Sequence, residues 1–85
     1  MLIGVIGERC FLSDLKIGQL AKVLDIFIDV EELKIHLSEM GIVKNTIVKI
    51  KKIAPLGDPV VIELRGYELI MRKNELKKIF VEVLK

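Results

Sequence analysis

Three side chains have the spacing of a metal site. Glu32, His36 and Glu39 stand at i, i+4 and i+7, which on a helix lines them along one flank, and two carboxylates with an imidazole suit a divalent first-row metal. The set is looser than structural metal sites usually are, so it reads as a solvated flank and no metal ligand is assigned. Cys10 is the only cysteine and His36 the only histidine. Cys10 has no partner for an intrachain disulfide or a zinc site and no local base to lower its pKa, so it reads as a small hydrophobe. Lys49, Lys51, Arg65 and Arg72 share the outer face of the expected strands, but Glu63 and Glu68 interrupt them. Only Phe11, Phe27, Tyr67 and Phe80 are available to stack on bases. Nucleic acid is not an expected partner. No GxGxxG, Walker, CxxC or HExxH pattern occurs. No catalytic residue or cofactor is assigned, and the chain reads as a binding module rather than an enzyme.

The elements that must carry these residues are short. Residues 12–18 (LSDLKIG) read as a helical turn opened by Ser13 and closed by Gly18. Residues 19–28 (QLAKVLDIFI) read as a strand whose alternation slips near Asp25, the mark of a bulge. Asp29 with Glu32 resembles a capping box. The helix that follows puts Leu33, Leu37 and Met40 on one face and Ile35 on the other, and ends at Gly41. Residues 46–51 alternate with Val48 and Ile50 inward and Lys49 and Lys51 outward. Two prolines, a glycine and an aspartate in Ala54–Pro59 make a turn or loop.

Residues 60–65 and 68–73 then form a hairpin. A type II′ turn at Gly66-Tyr67 pairs Leu64 with Leu69 and Ile62 with Met71. On the other face it opposes Arg65 to Glu68, Glu63 to Ile70 and Val61 to Arg72. Asn74 caps one helical turn over residues 75–78, and residues 80–83 close as a last strand. Five short strands and one helix after the first strand make a mainly β, small, partly open barrel. Its expected core is Leu20, Val23, Leu33, Leu37, Met40, Val48, Ile50, Ile62, Leu64, Leu69, Met71 and Val81.

Composition agrees with a single small domain. Of 85 residues 52% are hydrophobic, and 14 Lys and Arg against 12 Asp and Glu give a net charge of +2, far from the basic excess of nucleic-acid binders. No run approaches the ~20 apolar residues that span a bilayer. The apolar start of the sequence lacks a basic lead and a small-residue cleavage site. With one cysteine, a reducing, cytoplasmic location is the expectation.

The motifs also resemble a known family. Leu12-Ser13-Asp14-Leu15-Lys16-Ile17-Gly18-Gln19, Glu39-Met40-Gly41-Ile42, Ala54-Pro55-Leu56-Gly57-Asp58-Pro59, Arg65-Gly66-Tyr67 and residues 69–72 resemble, in order and spacing, the FeoA family. The resemblance covers roughly residues 12–83. It implies an SH3-like barrel over residues 12–85, with residues 1–11 as an N-terminal apolar extension outside it. It also implies a cytosolic accessory role in ferrous iron uptake, with a FeoB-type permease as partner and membrane contact only through that partner. The residues expected to meet the partner are Met40, Gly41, Pro55, Leu56, Gly57, Asp58, Pro59, Arg65, Tyr67 and Arg72. The alternative is a metal-responsive or nucleic-acid-binding regulator module on the same barrel. Residues 1–7 carry five apolar side chains and are expected to add a strand to the open edge, covering Val61 or Ile70, or to mediate self-association.

Overall fold

The computed structural model describes residues 5–85. Six antiparallel strands form one open sheet: β1 (Arg9–Phe11), β2 (Leu20–Ile26), β3 (Ile47–Ile53), β4 (Val60–Leu64), β5 (Tyr67–Met71) and β6 (Ile79–Val83), in the spatial order β1-β6-β2-β3-β4-β5. A 3₁₀ turn, Leu12–Asp14, follows β1. Helix α1 (Glu31–Glu39) connects β2 to β3, and α2 (Lys73–Leu76) connects β5 to β6. The sixth strand is β1, which pairs with β6 through Arg9–Glu82, Cys10–Val81 and Phe11–Phe80. Residues 9–11 of the expected N-terminal extension are therefore part of the sheet. Of residues 1–7, only 5–7 lie among the described residues. Gly7 donates its N–H to the Val83 carbonyl at 2.7 Å, on the β6 side of the sheet. Val61 and Ile70 belong to β4 and β5 at the opposite edge, so among the described residues this segment does not cover them. Ile70 is 74% exposed.

Alternation works as the residue types demand. In β3, Val48 and Ile50 are buried and Lys49 and Lys51 exposed; in β4, Val60, Ile62 and Leu64 are buried. The bulge lies where alternation slips: Val23 faces Val81, but Asp25 already faces Phe80, leaving Leu24 as the extra residue. The Asp25 carboxylate accepts the Ile26 N–H at 2.8 Å, beyond the last β2–β3 pair at Lys22. Expected core residues Val23, Leu37, Val48, Ile50, Ile62, Leu64, Met71 and Val81 are buried, and Leu33, Met40 and Leu69 pack half-buried against them. Leu20 is half-buried because Ala21 and Val23 hold the inward positions of β2. The core also takes Leu12, Leu15, Ile28, Ile42 and Leu76, which lie in turns or single-turn elements where no period marks them.

Three local expectations are corrected. Helix α1 starts after Val30 with no side-chain cap, so Asp29 is not its N-cap. Helix α2 starts two residues earlier than expected, with Arg72 as its N-cap residue and not Asn74. The Glu75 carboxylate accepts the Arg72 N–H at 2.8 Å, which fixes that earlier start. The hairpin turn is Arg65-Gly66, with φ of 48° and 84°. Two consecutive positive φ values make a type I′ turn, so the register moves by two residues: Leu64 faces Tyr67, Glu63 faces Glu68, Ile62 faces Leu69, Val61 faces Ile70 and Val60 faces Met71. A two-residue shift preserves which face each side chain occupies, so Met71 is still buried and Ile70 still outward.

Candidate functional site

The residues expected to meet a partner gather in two places. The first is where the end of α1 meets the β4–β5 turn. Gly41, at φ +95°, stops the helix in the left-handed conformation that glycine adopts without a Cβ penalty. Ile42 N–H then reaches back to the Leu37 carbonyl at 2.9 Å, and Gly41 N–H to Ser38 at 3.0 Å. The next free carbonyls are taken by side chains: the Tyr67 hydroxyl donates to Met40 O, and the Thr46 hydroxyl donates to Gly41 O at 2.9 Å. A Cβ on Gly41 would stand 2.9 Å from the Tyr67 hydroxyl and 3.4 Å from a Leu64 methyl. Met40, Gly41, Arg65 and Tyr67 are thus one packed junction, with the phenol spent on the helix end.

The second place is the Ala54–Pro59 loop between β3 and β4. Gly57 N–H bonds the Ala54 carbonyl at 2.7 Å, and Ala54 N–H bonds the Pro59 carbonyl at 3.1 Å, closing the loop on itself across a cis Asp58–Pro59 peptide. Asp58 ties it to α2. One carboxylate oxygen accepts the Lys73 N–H at 2.9 Å, and the other lies 3.6 Å from the Arg72 guanidinium. Pro55, Leu56, Gly57, Asp58, Pro59 and Arg72 therefore form a second unit. Within it Leu56 is 98% exposed. The two units sit at opposite ends of β4, which at about 3.3 Å per residue keeps them more than ~15 Å apart. They are two surfaces, not one site.

On the charged face Lys51 and Arg72 are paired, Arg72 with Asp58 as above. Lys51 stands on a second bulge, between Ile50–Ile62 and Lys52–Val61, and its ammonium lies 2.5 Å from Glu68 and 3.4 Å from Glu63. The carboxylates raise the Lys51 pKa, Glu68 by the larger part, and Lys51 lowers that of Glu68. Glu32, His36 and Glu39 are all exposed on α1, and the described residues hold no group of three or more His, Cys, Asp or Glu able to hold a metal. Cys10 is buried in the core. Its pKa is raised by burial first, then by the charges of Asp14 and Glu8, so the thiol is the favoured form.

Two features have no counterpart in the sequence reading. Phe11, Phe27 and Phe80 form an aromatic cluster with ring centroids 5.3–6.3 Å apart. The β1–β6 pairing creates it, and nothing in the spacing of residues 11, 27 and 80 signals it. A cavity of about 230 Å³ lies beside α1, lined by Asp25 and Ile26, by Lys34 and Ser38 of the helix, and by Ile42 to Lys44. Its walls come from three separate segments, which no local pattern joins.

Known proteins place this geometry in a family. A FeoA domain profile matches residues 10–83, which include every motif residue above. No protein in the search of curated sequences matches the chain. Among solved structures, a FeoA-like protein from Clostridium acetobutylicum is 38% identical with a TM-score of 0.82, covering 94% of this chain and 92% of its own. The FeoA protein of Chlorobium tepidum is 35% identical with a TM-score of 0.82, covering 88% of this chain and 70% of its own. The FeoA of Stenotrophomonas maltophilia, solved with zinc, is described as a prokaryotic SH3 domain protein with a suggested role as a ferrous iron transport activating factor. It is 24% identical with a TM-score of 0.73, covering 85% of this chain and 88% of its own. Identity and coverage of this order over the whole motif set, on a shared mainly β SH3-like fold, establish that the chain belongs to the FeoA family.

Proposed function

We propose that this chain is a cytosolic accessory protein of ferrous iron uptake that binds a FeoB-type permease and modulates its assembly or activity, with no chemistry of its own. The observation that carries the reading is the FeoA domain match across residues 10–83. The physical character of the motifs supports it. Gly41, Tyr67 and Asp58 are spent on turns and helix ends, which yields a rigid carrier for exposed docking groups. Rigidity lowers the entropy lost on association. Modulation then requires the chain to bind two conformations of the permease unequally. No described helix is long and apolar enough to cross a membrane, so on this reading contact with the bilayer runs through the partner. The test is ferrous iron uptake by cells expressing the permease with and without this chain, together with co-purification of the two proteins. Reduced uptake without the chain, restored on re-expression, supports the proposal. Unchanged uptake and no co-purification overturn it.

A further inference from the structure

Leu56 is the most exposed large hydrophobic side chain among the described residues, at 98%, and it stands on one of the most firmly braced turns of the molecule. The turn does not need it. The loop is closed by Gly57 N–H on Ala54 O and by Ala54 N–H on Pro59 O. It is pinned to α2 by Asp58 on Lys73 N–H, and φ is restricted at Pro55 and Pro59 by their rings. Each of these contacts uses a backbone group or another side chain, so any polar residue at position 56 would leave the turn intact. An apolar side chain held rigidly in water contributes nothing to folding, yet it binds at low entropic cost when a partner removes it from solvent.

The surroundings of Leu56 define the partner's chemistry. The two nearby carboxylates face backbone amides: Asp58 accepts from Lys73 N–H and Glu75 from Arg72 N–H. The Arg72 guanidinium is paired with the second Asp58 oxygen at 3.6 Å, whereas Lys73 makes no ion pair among the described residues. The Arg72 side chain is 70% exposed, and Lys73 Nζ is 3.8 Å from where a Cβ on Gly57 would stand, beside the turn. An exposed leucine beside the Lys73 ammonium, unpaired among the described residues, complements an apolar socket with a carboxylate at its edge.

We infer that Leu56 is the anchor residue of the partner interface, inserting into an apolar socket with an acidic edge on the cytosolic surface of the permease, with Lys73 as its charged flank. This inference rests on the proposed permease partnership. Ile35, exposed on α1, whose end packs at the β4–β5 turn at the other end of β4 from Leu56, serves as the internal control.

The experiment measures binding of the full chain to the detergent-solubilised permease by biolayer interferometry, for wild type, Leu56→Ala, Leu56→Asp and Ile35→Asp, with a urea denaturation curve for each. Leu56→Ala is expected to weaken binding about tenfold or more and Leu56→Asp further. Ile35→Asp is expected to bind as wild type, and both Leu56 variants to keep wild-type stability. No binding by the wild type overturns the permease reading itself. Wild-type binding that survives both Leu56 changes overturns the anchor while leaving that reading standing. Two further arms exclude other occupants. Leu56-dependent self-association in light scattering, or Leu56-dependent sedimentation with phosphatidylglycerol-containing vesicles that lack the permease, would assign the side chain to a second copy or to lipid and overturn the inference.

Discussion

The Tyr67 hydroxyl donates a hydrogen bond to the backbone carbonyl of Met40, 27 residues away in sequence. This contact joins the Glu39-Met40-Gly41 and Arg65-Gly66-Tyr67 motifs into one device. The helix ends at Gly41, the hairpin turns at Gly66, and the phenol fixes one against the other. Met40 O belongs to the last turn of α1 and has no partner within the helix, so the phenol satisfies a group that folding would otherwise leave to water.

Tyr67→Phe keeps the ring and deletes the donor, so it is expected to cost about 1 kcal/mol. Gly41→Ala forces a Cβ to φ +95° and to 2.9 Å from the hydroxyl, and the left-handed conformation alone costs about 1–2 kcal/mol. The double variant is expected to be less destabilised than the sum of the singles, because removing the hydroxyl gives the new methyl room. Urea denaturation of the four proteins checks this, and strict additivity would show that the two motifs are not coupled.

Asp58 bonds the first N–H of α2, the role a side-chain cap plays although it comes from another loop. Asp58→Ala is expected to lose about 1 kcal/mol, whereas Leu56→Ala two residues earlier is expected to lose nothing measurable. Equal losses at the two positions would mean that Leu56 contributes to the fold, contrary to its exposure.

Cys10 lies buried on β1 beside Val81 of β6, with its pKa raised by burial and by Asp14 and Glu8. The thiolate is the reactive species, so alkylation by iodoacetamide at neutral pH is expected to run about tenfold or more slower in the folded protein than in denaturant. Equal rates in the two states would contradict its placement.

The β3 alternation and the buried face of α1 are legible in the sequence because each buries one face at a fixed period, and Val48, Ile50 and Leu37 leave no alternative. The β4–β5 register is not legible in the same way. Period two fixes the face of Ile62, Leu64 and Met71 but is indifferent to a shift of two residues. The expected turn at Gly66-Tyr67 sets Arg65 opposite Glu68, which looks favourable; the observed turn at Arg65-Gly66 sets Glu63 opposite Glu68. Like charges facing each other argue against that register until Lys51 is in place, and Lys51 arrives from a third strand through a bulge. Tertiary context thus decides what the hairpin's own residues leave open. The same holds for the motif residues: Tyr67 and Asp58 belong to short motifs, but their roles as helix-end partners depend on elements 27 and 15 residues away.

Lys51 yields the pH-dependent test. Replacing it with Met leaves Glu63 and Glu68 opposed without a counter-ion, so Lys51→Met is expected to be less stable than wild type near neutral pH. Glu68 has its pKa lowered in the fold, so its contribution is present above the ordinary carboxylate value of 4.5 and is lost as pH falls through the folded-state pKa. Lys51 has its pKa raised, so its contribution is complete below the ordinary lysine value of 10.5 and is lost as pH rises through the folded-state pKa. The stability gap between variant and wild type is therefore expected to be widest on the plateau between those two ordinary values. It should shrink in acid, where Glu68 protonates and neither its attraction to Lys51 nor its repulsion with Glu63 remains, and again in strong base. Because all three side chains are solvent-accessible, molar salt should also narrow the gap by screening. Urea denaturation of both proteins across pH and at two salt concentrations measures it. A gap that stays constant into acid would mean that Lys51 stabilises the hairpin through its methylenes rather than its charge.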